Sequence, residues 1–341
     1  MARGSRTAIP DLSHLTPEAL PSRVMGLDFR ILGPVEVVGE TGPIRLGGPK
    51  QRGVLAILLL HANRVVPVEQ LADDLYGEDV PATAIAQVRD HVSQLRKLLE
   101  PGRAPGTHGA LLETRAPGYL VRLDPEQLDA LRFERHLEEA TRALKRGEAE
   151  LASTELRHAL DLWRGPPLAD FAYETFAQPA IGRLEELRLT ALEQRIEADL
   201  TLGLDGALVG ELEELVAAHP LREQLRAQLM LALYRAGRQA EALDVYHAAR
   251  RKLSDELGIE PAPALRELAA KMLRHEPSLE LPLPVSGDEP GSLAPGWSPS
   301  CAVARCPAQR PGTWSRSSPA SIRWRSSRHR YCESLSTLRQ A

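Results

Sequence analysis

Apolar residues two apart mark the first structured stretch of the chain as strand. Phe29 and Ile31, then Val35 and Val37, fall on one face, with Gly33-Pro34 as a turn or bulge between them. Gly39 to Gly42 reads as a turn, and Ile44 with Leu46 as another short strand. The period then changes from two to 3.6. Gly47-Gly48-Pro49 opens a helix with proline near its first position. Val54, Leu55, Leu58 and Leu59 repeat at helical spacing to about His61, and Asn63-Arg64 breaks the run. A second helix is predicted from about Val68 to Tyr76, with Leu71, Ala72 and Leu75 inward and Gly77 closing it. Pro81 starts a third, which carries Ile85, Val88, Val92, Leu95 and Leu99 on one face. A loop from Pro101 to Gly109 follows. Leu111 to Leu123 then alternates as two strands around the turn sequence Ala116-Pro117-Gly118. A short helix, a tight turn and a longer amphipathic helix make a helix-turn-helix, and the hairpin beside it makes a winged variant.

From Pro125 to His275 the pattern is helical throughout and rich in Ala, Leu, Glu and Arg. Helices are predicted near 125–146, 148–164, 174–203, 206–218, 222–236, 239–257 and 262–275. Gly147, Gly165-Pro166-Pro167, Gly203, Pro220, Gly237 and Gly258 to Pro263 separate them. Leu225 to Gly237 followed by Gln239 to Leu257 fits a tetratricopeptide unit, with small Ala242, then Tyr246 and Ala249. The other pairs fit loosely, which predicts an irregular helical repeat. The predicted fold is therefore mainly α. An N-terminal winged helix-turn-helix of α+β type (27–123) precedes an all-α tetratricopeptide-like helical-repeat domain (124–276). Residues 1–26 read as a disordered leader, and 277–341 as a disordered or frame-shifted tail.

Charge sharpens this division. The 341 residues carry a formal net charge of −4, which rules out a histone-like polybasic protein but not a local DNA-binding face. Residues 27–123 hold eleven basic and eleven acidic side chains; 124–276 hold 20 basic and 29 acidic. The acidic middle is the part least suited to nucleic acid. All three cysteines (Cys301, Cys306 and Cys332) lie in the tail, with eleven serines and eight arginines after Gly291. The absence of cysteine before them excludes a disulfide framework, a thiolate zinc site or a cysteine nucleophile in the helical and winged regions. No apolar run approaches the ~20 residues needed to cross a bilayer. Arg3 and Arg6 are not followed by a signal-peptide core. A soluble protein of the cytoplasm, associated with the nucleoid and not with a membrane, is expected.

Candidate chemistry concentrates on the third helix. Opposite its apolar face lie Thr83, Ala86, Gln87, Asp90, Ser93, Gln94 and Lys97. Small residues let a helix approach the groove floor, an amide can read adenine bidentately, and a cation can meet guanine or phosphate. Arg89, His91 and Arg96 flank the stripe, within reach of phosphates. Taken alone the stripe equally fits a solvated face, a reading that Asp90 favours. In the hairpin, Thr114, Arg115 and Tyr119 surround the turn and suit a phosphate or minor-groove contact, or simply a solubilised edge. Gly47-Gly48-Pro49-Lys50-Gln51-Arg52 resembles an anion-binding helix start in which Lys50 and Arg52 would hold a DNA phosphate. It lacks the Gly-Lys-Ser/Thr of a nucleotide loop. His91, His108, His136, His158, His219, His247 and His275 show no metal-ligand spacing, and no catalytic constellation is present. The expectation is a protein without cofactor, metal or enzymatic activity.

The winged segment Glu113 to Val121 (ETRAPGYLV) resembles the OmpR-type winged helix, and Val92 to Leu99 (VSQLRKLL) its recognition helix. Four further stretches are similar to the bacterial transcriptional activation domain: Trp163 to Asp170 (WRGPPLAD), His219 to Glu223 (HPLRE), Tyr234 to Leu243 (YRAGRQAEAL) and Asp255 to Pro261 (DELGIEP). Together, over about 27–276, they resemble the Streptomyces antibiotic regulatory protein family. The resemblance implies a pathway-specific activator that binds direct repeats of double-stranded DNA near promoters, self-associates there and helps recruit RNA polymerase holoenzyme. It implies that Arg96 and His91 meet phosphate and that Arg115 and Tyr119 belong to the wing. Gln94 falls where relatives often carry a base-reading arginine, so the operator sequence should differ. Larger relatives add an ATPase module, of which no Walker pattern is seen here. Two alternatives remain: a helical scaffold whose winged helix binds protein, and a truncated form of such a larger regulator.

Overall fold

A computed structural model describes residues 26–101 and 111–280. The predicted leader before residue 26, His108 and the tail beyond residue 280, with its cysteines, lie outside the described residues. Strands β1 (Asp28–Arg30), β2 (Glu36–Gly39) and β3 (Gly42–Pro43) form an antiparallel sheet in that order, with Phe29 opposite Val37. The third strand lies two residues earlier than the pattern predicts, and Ile44 N–H donates to Val37 O just after it. Helices α1 (Pro49–Leu60), α2 (Val68–Tyr76) and α3 (Ala84–Leu99) follow.

Strands β5 (Leu112–Arg115) and β6 (Gly118–Val121) form the predicted hairpin. The strand β4 (Val66–Pro67) was not foreseen, and it pairs with β6 to complete a second sheet of order β4-β6-β5. Glycine at position 118 permits that pairing. A Cβ there would lie 1.8 Å from Val66 O and 2.7 Å from Pro67 Cα. The buried face of α3 is Ala84, Val88, Val92, Leu95 and Leu99. Ile85, predicted among them, is 36% exposed: at about 60° from Val88 it stands at the edge of this face, and Ala84 lies nearer its centre.

The second half is helical as predicted. It contains α4 (Asp129–Arg146), α5 (Ala149–Asp161), α6 (Gln178–Thr201), α7 (Asp205–Ala218), α8 (Glu223–Arg235), α9 (Gln239–Leu257) and α10 (Pro263–Leu273). The tetratricopeptide-like pair is α8 and α9, joined through Gly237 in the left-handed region at φ 77°. A single turn at Pro125–Gln127 precedes α4, held by a capping box between Asp124 and Gln127. The packed chain continues past α10 to Leu279, whose carbonyl accepts from Arg235 Nε at 2.8 Å.

The core does not divide where the two sequence patterns meet. One apolar cluster runs from Phe29 through Leu95 and Val121 to Phe133, Leu156, Phe171 and Leu184. It joins the whole winged region to α4, α5 and part of α6. A second cluster, from Leu189 to Leu279, holds the later helices together. Helix α6 serves both. Leu184, Ala191 and Ala198, seven residues apart, enter the first cluster; Leu189, Ile196 and Leu200 enter the second. Buried on two sides, α6 shows no simple amphipathic stripe.

Polar bonds reinforce the first cluster. The Asp129 carboxylate, 2% exposed, accepts from Ile31 N–H at 2.8 Å and Leu32 N–H at 2.9 Å, and Arg164 lies 3.6 Å away. The segment between α5 and α6 returns to the N-terminal sheet. Arg164 N–H donates to Leu32 O, Leu168 N–H to Ile31 O and Ala169 N–H to Gly33 O. Arg164 also reaches Glu36 at 2.9 Å and Pro34 O at 3.1 Å. Asp170 accepts from Val35 N–H at 3.0 Å. Backbone donors left bare in such a place would cost about 1–3 kcal/mol each, so these contacts fix the angle between the winged region and the helices.

Candidate nucleic-acid interface

Helix α3 lies on α1 and α2 through its buried face and turns Ala86, Arg89, Asp90, Ser93, Gln94 and Lys97 to solvent. These residues recur three and four apart, so they form one stripe about three turns long. Arg89, Ser93, Gln94 and Lys97 make no side-chain hydrogen bond or ion pair among the described residues. A stripe with unspent donors, an amide and small residues is what a major groove accepts. Asp90 stands in its middle and is the one group that would oppose phosphate.

The other predicted contacts divide by what already holds them. Gln87 is a brace: its Oε1 accepts from Tyr76 OH at 2.6 Å, and its Nε2 donates to Thr83 Oγ1 at 2.9 Å. It ties the end of α2 to the start of α3, so Thr83 and Gln87 shape the helix-turn-helix. Arg96, predicted to meet phosphate, faces the wing. Its Nε donates to Leu112 O at 2.9 Å, its Nη2 to Thr114 Oγ1 at 2.7 Å, and its guanidinium covers the Tyr119 ring at 5.6 Å. Tyr119 is itself 8% exposed. Thus Arg96, Thr114 and Tyr119 fix the wing against α3. Arg115 remains at the wing tip, 54% exposed and paired with Glu113 at 2.9 Å. Hydrogen bonding from Arg122, with Arg115 beside it, holds the Glu113 carboxyl below the usual carboxylate range.

The two cations of the predicted anion site at the start of α1 already have partners within the chain. Lys50 Nζ donates to Leu75 O at 2.6 Å and lies over the Tyr76 ring, so it closes α2 onto α1. Arg52 reaches Asp170 at 3.4 Å and belongs to the junction with the helical region. His91 is half-buried at the edge of the stripe, and its buried Nδ1 has no hydrogen-bond partner among the described residues. Burial pulls its pKa below the usual imidazole value, against the opposing pull of Asp90.

Sequence reasoning missed the residues that close the winged region and those that join it to the helices. Asn63, read only as a helix breaker, adopts φ 63°, donates through Nδ2 to Leu123 O and accepts from Leu123 N–H. Arg164 and Asp170 stand in the WRGPPLAD stretch, so the signal was visible but not its meaning. Trp163 there packs edge-on to Phe133 at 5.3 Å, with Arg188 over its ring at 4.9 Å.

Residues 42–121 match the family described as transcriptional regulatory protein, C terminal, and residues 128–273 match the bacterial transcriptional activator domain. Regulatory protein DnrI of Streptomyces peucetius is 38% identical over 257 residues, which cover 74% of this chain and 94% of that one. Regulatory protein AfsR of Streptomyces coelicolor is 44% identical over 254 residues, 74% of this chain but only 25% of that much longer protein. Among solved structures, Mycobacterium tuberculosis EmbR in complex with a low-affinity phosphopeptide aligns with a TM-score of 0.70 at 38% identity, over 74% of this chain and 66% of that one.

Proposed function

Because this chain belongs to the Streptomyces antibiotic regulatory protein family of transcriptional regulators, we propose that it is a sequence-specific DNA-binding activator of a secondary-metabolite gene cluster. The observation that carries this reading is the stripe of unspent Arg89, Ser93, Gln94 and Lys97 on α3 beside Arg115 at the wing tip. Gln94 reads a base edge, while Arg89, Lys97 and Arg115 meet phosphates. The winged region has equal numbers of acidic and basic groups, so one copy binds with modest electrostatic affinity. Two copies on direct repeats about 10–10.5 bp apart supply the rest through effective concentration. The acidic helices then offer protein surface to the second copy or to RNA polymerase holoenzyme. Such work belongs in the cytoplasm, at the nucleoid.

Binding to promoter fragments at several salt concentrations tests this. Gln94→Ala should relax discrimination at one base pair by about tenfold or more. Lys97→Ala should weaken binding alike on every sequence and lower the salt slope by about 1. If both variants bind as the parent does, α3 is not the reading element. The scaffold alternative draws on Asp90 and the balanced charge of the winged region, and DNA affinity indifferent to salt would favour it.

A further inference from the structure

We propose that His136, Glu155 and His158 form a zinc(II) site that staples α4 to α5. One ligand atom from each residue lies within 4.8 Å of the other two. His136 projects from α4, whereas Glu155 and His158 stand three apart on one face of α5. His136 Nδ1 is 2.6 Å from a Glu155 carboxylate oxygen, and the two imidazole rings are 6.0 Å apart, inclined at 69°.

Two imidazoles and one carboxylate suit zinc, which binds such atoms at about 2.0–2.2 Å in tetrahedral geometry. Tetrahedral ligands at that radius stand about 3.3 Å apart, so small rotations of these side chains complete the site. Calcium and magnesium require more oxygen than this cluster offers. The side chains of His136 and Glu155 are 21% and 22% exposed, and His158 is exposed. An ion can therefore enter from solvent and keep water as its fourth ligand. On binding, the metal takes the place of the hydrogen between His136 Nδ1 and Glu155, and the imidazole carries its N–H on Nε2.

The placement gives the site a structural role. Helix α4 begins at Asp129, which holds Ile31 and Leu32, and α5 leads into Trp163 and Arg164. A metal across these two helices braces the junction that orients the winged region. His136 lies 19 and 22 residues before Glu155 and His158, which is why spacing alone does not bring it to them.

The test is titration of the full chain with zinc(II), followed by calorimetry and thermal unfolding, with cobalt(II) as a spectroscopic probe. At about a hundredfold excess over the dissociation constant, zinc should raise Tm by about 5–10 °C. The exposed His158→Gln should fold normally yet lose one equivalent of bound zinc and most of the Tm rise, and His136→Gln should do the same. Cobalt should give a tetrahedral visible spectrum that disappears in both variants. Unchanged stoichiometry and Tm rise in His158→Gln would overturn the proposal. So would no Tm rise in the parent, or cobalt bound only with the intense near-ultraviolet absorption of thiolate, which would assign the metal to Cys301, Cys306 and Cys332.

Discussion

His91 carries a liability that acid should reveal. Burial lowers its pKa in the folded chain, and burial also lowers that of His61 at the end of α1. In acid the unfolded chain takes up these protons first. The stability they contribute is present above the ordinary histidine value of about 6.5 and is lost as pH falls through the lowered one. Asp129 works in the opposite sense, because burial raises its carboxyl pKa. The His91 contribution is isolated by comparing the parent with His91→Gln in denaturant melts from about pH 7.5 to 5.5. The variant should lose less stability across that range, and parallel slopes would refute the assignment. Single residues were also where the sequence was least legible. The helical wheel places Arg96 beside the exposed stripe, yet its partners are a carbonyl and a hydroxyl 16 and 18 residues further along. Which face a side chain occupies follows from local periodicity. Which partner it finds there is set by how the hairpin docks.

At the scale of elements, the three helices of the winged region and the seven that follow were legible because each repeats apolar positions over two or more turns. Strand β4 was not, because two residues, one of them proline, carry no periodicity. Only the approach of β6 makes them a strand. That dependence predicts the result of Gly118→Ala. The added methyl would meet the β4 backbone, which cannot rotate aside, so β4 and β6 must separate. The substitution should cost about 1–3 kcal/mol or more of stability and misplace Arg115. Denaturant melts would show the first effect. A fall in DNA affinity larger than that of Arg115→Ala would show the second, and a variant as stable as the parent would deny the constraint. Helix α6 illustrates a different limit. Its length and ends could be read to within four residues, but not its service to two cores, since residues facing both ways look like weak patterning.

For the whole molecule, charge and periodicity suggest two modules meeting near Leu123, but packing joins them. Phe29, Ile31 and Leu32 share a core with Phe133 and Leu156, and Asp129 and Leu168 satisfy the backbone of residues 31 and 32. A chain ending at Leu123 should therefore melt well below the full chain and without a sharp transition. Circular dichroism during heating would check this, and a cooperative melt near that of the full chain would show the winged region to be self-sufficient. The same junction has a consequence on a promoter. Arg164, Asp170 and Asp129 leave α3 no wrist: if α3 is the helix that settles in a groove, as proposed, the outward bearing of the acidic helices is settled with it. Shifting an operator by half a helical turn would then swing those helices to the far side of the duplex, away from any partner waiting on the near one.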